Sequence, residues 1–337
     1  FLLVTPGLAL AVAPYQGNPT DQVGAAIMPA NQSLAFNSQT LGMKGPLSLG
    51  TEYSQSYGLI FKGQYTQLLG KSNAMSLLLD GGSGERRINA TWSHLFSAHQ
   101  RIKFSAERLW QRMSFDFDSG KDQEWIGQNA CGSSYQYLFP KGWLSDLHVA
   151  AFYSKADSKN LSSGYFYQGS AYYENFRHIA GGTDKSLSAG FDVMPFSSTQ
   201  LGATLNYDNV HYDMKYEKSK ADQKGFGLTL SLNQLLTHKV KLNLLASQRA
   251  TMRQYGAGVG FMLPSHAGSQ LELDVNAKHT AGHHGLPNDT TYGVDVDYHW
   301  GDSNANPGFS LSRAGSADDL ALWTATPAVK MDQVLAI

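Results

Sequence analysis

From about residue 46 to residue 300 the chain alternates bulky apolar and small or polar positions. Residues 291–300, TYGVDVDYHW, carry the pattern clearly: Tyr292, Val294, Val296, Tyr298 and Trp300 are bulky, and Gly293, Asp295, Asp297 and His299 lie between them. Strand side chains point to opposite faces with period two, so this stretch predicts a strand with one greasy and one polar face. The same reading applies to Leu59, Phe61 and Tyr65, to Met75, Leu77 and Leu79, and to Ile88, Ala90 and Trp92. Ile102, Phe104 and Ala106 alternate against Arg101, Lys103, Ser105 and Glu107. Leu271, Leu273, Val275 and Ala277 alternate against Glu272, Asp274, Asn276 and Lys278. After Arg108 the apolar parity moves to Leu109, Met113 and Phe115, and after Tyr207 it moves to Val210 and Tyr212. Each change is read as a β-bulge.

The runs are roughly 8–16 residues, closer to the ~9–11 that a tilted strand needs to cross a bilayer than to the ~5–6 of a soluble sheet. Turns alternate in character. SST (197–199) and Thr237-His238 are short, whereas 174–185, 215–222 and 281–289 are longer and polar. Short turns at one end and longer loops at the other predict a transmembrane antiparallel up-and-down barrel over 46–300. About thirteen runs are counted, including one at Tyr165, Tyr167, Ala171 and Tyr173; single-chain bacterial barrels have even strand numbers, so 12–14 strands are expected. Residues 46–53 offer a fourteenth. A soluble sandwich or lipocalin-like fold is the alternative. The polar positions Arg101, Lys103, Glu107, Glu272, Asp274, Lys278, Asp295 and Asp297 are assigned to the lumen, where they would line the pore or contact the C-terminal tail. The aromatics Tyr57, Phe96, Phe139, Tyr216, Tyr255 and Trp300 are assigned to interfacial girdles.

Composition agrees. Charged residues are only 16% of the 337, while tyrosine (17) and glycine (34) are frequent. Mean hydropathy is −0.30, and no long apolar run crosses the middle of the chain. A net charge of −1 gives no basic field for nucleic acid. The single cysteine, Cys131, excludes an intramolecular disulfide and is read as a small buried or lumen-facing residue.

The ends differ from the middle. Residues 1–14 (FLLVTPGLALAVAP) read as a signal-peptide remnant, with small-x-small cleavage options at Ala9-Leu10-Ala11 and Ala11-Val12-Ala13. Residues 15–45 read as a periplasmic or pore-lying lead-in. Residues 301–337 read as a linker, a short helix over 316–325 capped by Ser316 and ended by Pro327, and an extended segment that could lie in the pore.

The alternating 291–300 segment ending in Trp300 resembles the terminal-strand signal of Gram-negative outer-membrane β-barrel proteins. That resemblance implies an outer-membrane location and recognition by the barrel-assembly machinery, with outer-membrane lipid around the barrel. The family's signal ends the chain, whereas here 37 residues follow. The barrel pattern plus the tail also resembles the inverse autotransporters, the intimin and invasin family. There a linker threads back through a twelve-stranded barrel and carries a passenger to the cell surface. The functional expectation is therefore a translocator or anchor for its own C-terminal segment or a surface assembly. The alternative is a porin-like channel for small solutes with the tail as plug.

Catalytic chemistry finds little support. His283 and His284, with Asp289, lie in a polar loop as a weak acid–base or metal candidate. Ser93/His94 and Ser265/His266 are sequence neighbours, which alternation sends to opposite faces. HExxH, GxSxG and P-loop patterns are lacking. No enzyme, cofactor or metal is expected. Gly256, Gly258 and Gly260 read as a smooth inward stripe rather than a nucleotide loop.

Overall fold

The computed structural model describes residues 47–117, 120–168, 171–213, 222–250, 252–263, 269–282 and 288–300, together with Leu320, Trp323 and Thr324. Sixteen strands follow in chain order: β1 (Leu47–Ser54), β2 (Gly58–Leu68), β3 (Asn73–Gly82), β4 (Glu85–Ser97), β5 (Gln100–Phe117), β6 (Gly120–Leu138), β7 (Leu144–Ala156), β8 (Lys159–Gln168), β9 (Ala171–Ile179), β10 (Gly182–Phe196), β11 (Thr199–Tyr212), β12 (Gln223–Thr237), β13 (Val240–Gln248), β14 (Met252–Leu263), β15 (Ser269–Gly282) and β16 (Asp289–Trp300). Fourteen of them form one closed antiparallel barrel, which β1 closes by pairing with β16, Leu47 opposite Tyr298. Closure leaves no unpaired edge.

The pleat sorts the residues. Phe61 (60% exposed), Leu187 (61%) and Phe226 (71%) point outward, whereas Glu272 (0%), Asp274 (1%) and Arg101 (3%) point inward and are buried. Tyr292, Val294 and Val296 are exposed on the outer face, and Thr291 is buried on the inner one. A soluble barrel puts its apolar side in. This barrel puts it out, which is the arrangement that bilayer hydrocarbon stabilises. Trp300 ends β16 at the short-turn end, but its side chain and those of Asp297 and Tyr298 lie outside the described residues, as does the loop holding His283 and His284.

Four expectations change. The run at 165–173 is not part of the wall: β8 and β9 form a separate two-stranded sheet, and β7 pairs directly with β10, Ala156 opposite Gly182. The parity changes are not bulges. β5 pairs with β4 and β6 without a slip from Arg101 through Gln111, and β11 pairs with β12 without a slip through Val210. Leu109, Met113, Val210 and Tyr212 instead face inward and are buried, beside Ile60 and Ile126, at the end opposite the short turns. The inner surface itself turns from polar to apolar there, and a pleated strand needs no extra residue to follow it. Tyr57 belongs to this inner group rather than to a girdle. Cys131 is exposed on the outer face, opposite Tyr153 of β7.

Candidate functional site

The lumen holds charged side chains in clusters on neighbouring strands. Arg87 is buried and donates from Nη1 to Asp80 Oδ2 (2.9 Å) and from Nη2 to Glu85 Oε1 (2.9 Å), with Nε 3.6 Å from Glu107 Oε1. Asn89 donates to Glu107 (2.7 Å) and Gln111 to Glu85 (2.6 Å). A second cluster places Lys241 against Glu272, with Asp274 3.5 Å away. Lys241 reaches across β14 at Gly260, where any Cβ would collide with its side chain and with Asp274. The inward glycine thus lets a long side chain cross a whole strand. In a third cluster Arg249 holds Asp208 with two nitrogens.

Near the short-turn end the wall meets the tail. Arg101 and Lys103, two apart on β5, both face the Trp323 ring, at 4.5 and 4.3 Å from its centroid. Lys103 Nζ also donates to the Trp323 carbonyl (3.0 Å), and the hydroxyls of Ser93 and Thr324 are hydrogen-bonded. Thr324 donates to the Leu320 carbonyl (2.5 Å), four residues back, as in a helix. Leu320 and Thr324 are fully buried. Trp323 and Thr324 therefore rest on the inner wall at β4 and β5. Two cations on one indole make a cation–π contact, which gains strength where water is excluded.

A fourth cluster joins β7, β10 and β11. Asp146 Oδ1 is 3.0 Å from His148 Nδ1, His148 Nε2 is 2.9 Å from Thr204 Oγ1, and Gln200 donates to Asp192 Oδ2 (2.9 Å). Asp192 and Asp146 are register partners. At the opposite end, in the β1–β2 turn, burial together with the charges of Glu85 and Asp289 holds the Tyr57 phenol far above its ordinary range, so it stays a neutral donor.

Of the residues assigned to the lumen, Arg101 and Lys103 come together at Trp323, Glu107 belongs to the Arg87 cluster, and Glu272 and Asp274 belong to the Lys241 cluster. Lys278 lines a small inner recess beside Glu52 and Glu85, and Asp295 accepts from Asn276 (3.3 Å). Asp289, weighed as a partner for the loop histidines, accepts from Ser54 and Ser56 and fastens the β1–β2 turn. The Asp146–His148–Asp192 cluster was missed. Its one local signal is the D-x-H spacing of Asp146 and His148, which puts both on one face of a strand.

A closed fourteen-stranded barrel, apolar outside and charged inside, has the architecture of the Gram-negative outer-membrane β-barrels. No protein-family model and no curated protein matches the chain. Similar solved structures include the Pseudomonas putida toluene transporter TodX (TM-score 0.47, 10% identity, 84% of this chain and 96% of that one). They also include the Ralstonia pickettii toluene transporter TbuX (0.48, 11%, 83% and 96%) and the translocator domain of the autotransporter NalP from Neisseria meningitidis (0.40, 13%, 77% and 88%).

Proposed function

We propose that the protein is an outer-membrane channel for small solutes whose own C-terminal segment plugs the lumen. The observation that carries this reading is Trp323, held between the inner wall, Arg101 and Lys103. Freed of the tail, these two cations would bias the pore toward anions, because rings of like charge set selectivity in such pores. The test is single-channel conductance in planar bilayers, full chain against a chain lacking residues 302–337. The plug reading expects low or intermittent conductance in the first and a large, anion-preferring increase in the second. Equal conductance contradicts it.

A translocator or anchor is the second reading, because the same contacts would hold a threaded linker. The wall's fourteen strands depart from the twelve of the inverse autotransporters. An epitope after Ile337 separates the two readings. A plug leaves it on the periplasmic side, the side of the short turns where β16 ends; a thread exposes it on intact cells. On either reading the protein works by passage and occlusion rather than as an enzyme.

A further inference from the structure

We propose that Asp146, His148 and Asp192 form a binding site for a divalent first-row transition cation of the Zn2+ or Mn2+ type, on the lumen wall where β7, β10 and β11 meet. One ligand atom from each of the three lies within 4.8 Å of the others. Asp146 and Asp192 are directly opposite each other across the β7–β10 ladder. Like charges in that position destabilise a sheet unless something positive lies between them. The neighbouring carboxylate clusters close on Arg87, Lys241 and Arg249. Among the described residues no lysine or arginine pairs with Asp146 or Asp192; the two carboxyls are placed to share a proton with each other, to pair with His148 or to hold an ion.

The imidazole can be presented to a metal. With its hydrogen on Nε2 it donates to Thr204 Oγ1 (2.9 Å) and turns the Nδ1 lone pair toward Asp146 Oδ1 (3.0 Å); with its hydrogen on Nδ1 it donates to Asp146 and accepts from Thr204. In the first tautomer the two facing acceptors take a proton or a cation between them. A proton bridges only two atoms, whereas a cation takes all three. Thr204 then accepts the Nε2–H of the metal-ready tautomer and Gln200 braces the Asp192 carboxylate, as outer hydrogen bonds do for metal ligands. The backbone makes room as well. A Cβ at Gly190 would collide with His148 Nε2, and a Cβ at Gly202 with Asp192 Oδ1. Two carboxylate oxygens and one imidazole suit a borderline first-row cation better than calcium or magnesium, which favour all-oxygen shells. His148 is a fifth exposed, so water from the lumen can complete the coordination.

The test is a zinc chloride titration by calorimetry on the full chain, folded in detergent and stripped by a chelator. His283→Ala/His284→Ala serves as background to remove the loop histidines. One high-affinity site is expected, weakened by about tenfold or more in Asp192→Asn. Zinc should raise the Tm of the background protein and not that of Asp192→Asn, which in chelator is at least as stable because one buried charge is gone. Gly202→Ala keeps every ligand and should also weaken binding, so the proposal survives poor folding of the asparagine variant. Binding unchanged by both substitutions overturns it. So does stability that follows pH with no response to zinc, the behaviour of a carboxyl pair sharing a proton.

Discussion

Arg87 shows how much a single residue carries. It is buried among Asp80, Glu85 and Glu107, and three strands converge on its guanidinium. Such a cluster adds little over an apolar core, but deleting its cation leaves buried carboxylates facing each other. Arg87→Ala should therefore cost about 3–5 kcal/mol, measured by urea unfolding of the barrel folded in lipid vesicles. Gly260→Val should cost about 1–3 kcal/mol in the same assay, because its side chain enters the space that Lys241 crosses. A neutral Gly260→Val would mean that Lys241 does not cross there. The inward places of Arg101, Lys103, Glu107, Glu272 and Asp274 were legible in the sequence, because alternation assigns a face without reference to any partner. What each touches was not legible. Asp192 meets Asp146 only because β8 and β9 leave the wall, and no periodicity signals that departure.

The strands obey one rule that the sequence reading applied too locally. Hydrophobic parity marks lipid against lumen only where the lumen is polar. On β5 the inward set runs Arg101, Lys103, Ser105, Glu107, then Leu109, Gln111 and Met113, with unbroken register. A bulge was inferred where only the solvent on the inside had changed. The rule is testable on β11, whose Thr204 and Leu205 face opposite sides. Leu205→Arg should destabilise the folded barrel by about 2–4 kcal/mol, as a charge set on a lipid face near midplane does, whereas Thr204→Ser should be nearly silent. The β8–β9 sheet lies outside the wall, so replacing residues 160–178 with a Gly/Ser linker should leave the barrel folded, read as unchanged heat-modifiable migration on gels. Loss of the folded band would mean that the hairpin is part of the barrel's stability after all.

At the scale of the whole molecule, low charge, abundant tyrosine and glycine, and a repeated alternation specified a barrel; closure between β1 and β16 fixed its strand number at fourteen. The weakest pattern in the chain, the tail, makes the most informative contacts. Nothing in residues 316–325 announces that Trp323 lies under two cations, since cation–π pairing leaves no periodicity. The central claim is that Trp323 and Thr324 sit on the inner wall of β4 and β5. Ser93 and Thr324 touch there through their hydroxyls, so cysteines at both positions would bring their sulfurs within reach of each other. The decisive measurement is the cross-linking yield of Ser93→Cys/Thr324→Cys, in a Cys131→Ser background, in outer membranes under mild oxidation. The account predicts near-complete intramolecular disulfide, seen as a reductant-sensitive mobility shift on gels. A barrel that folds normally and leaves both thiols open to alkylation would contradict it.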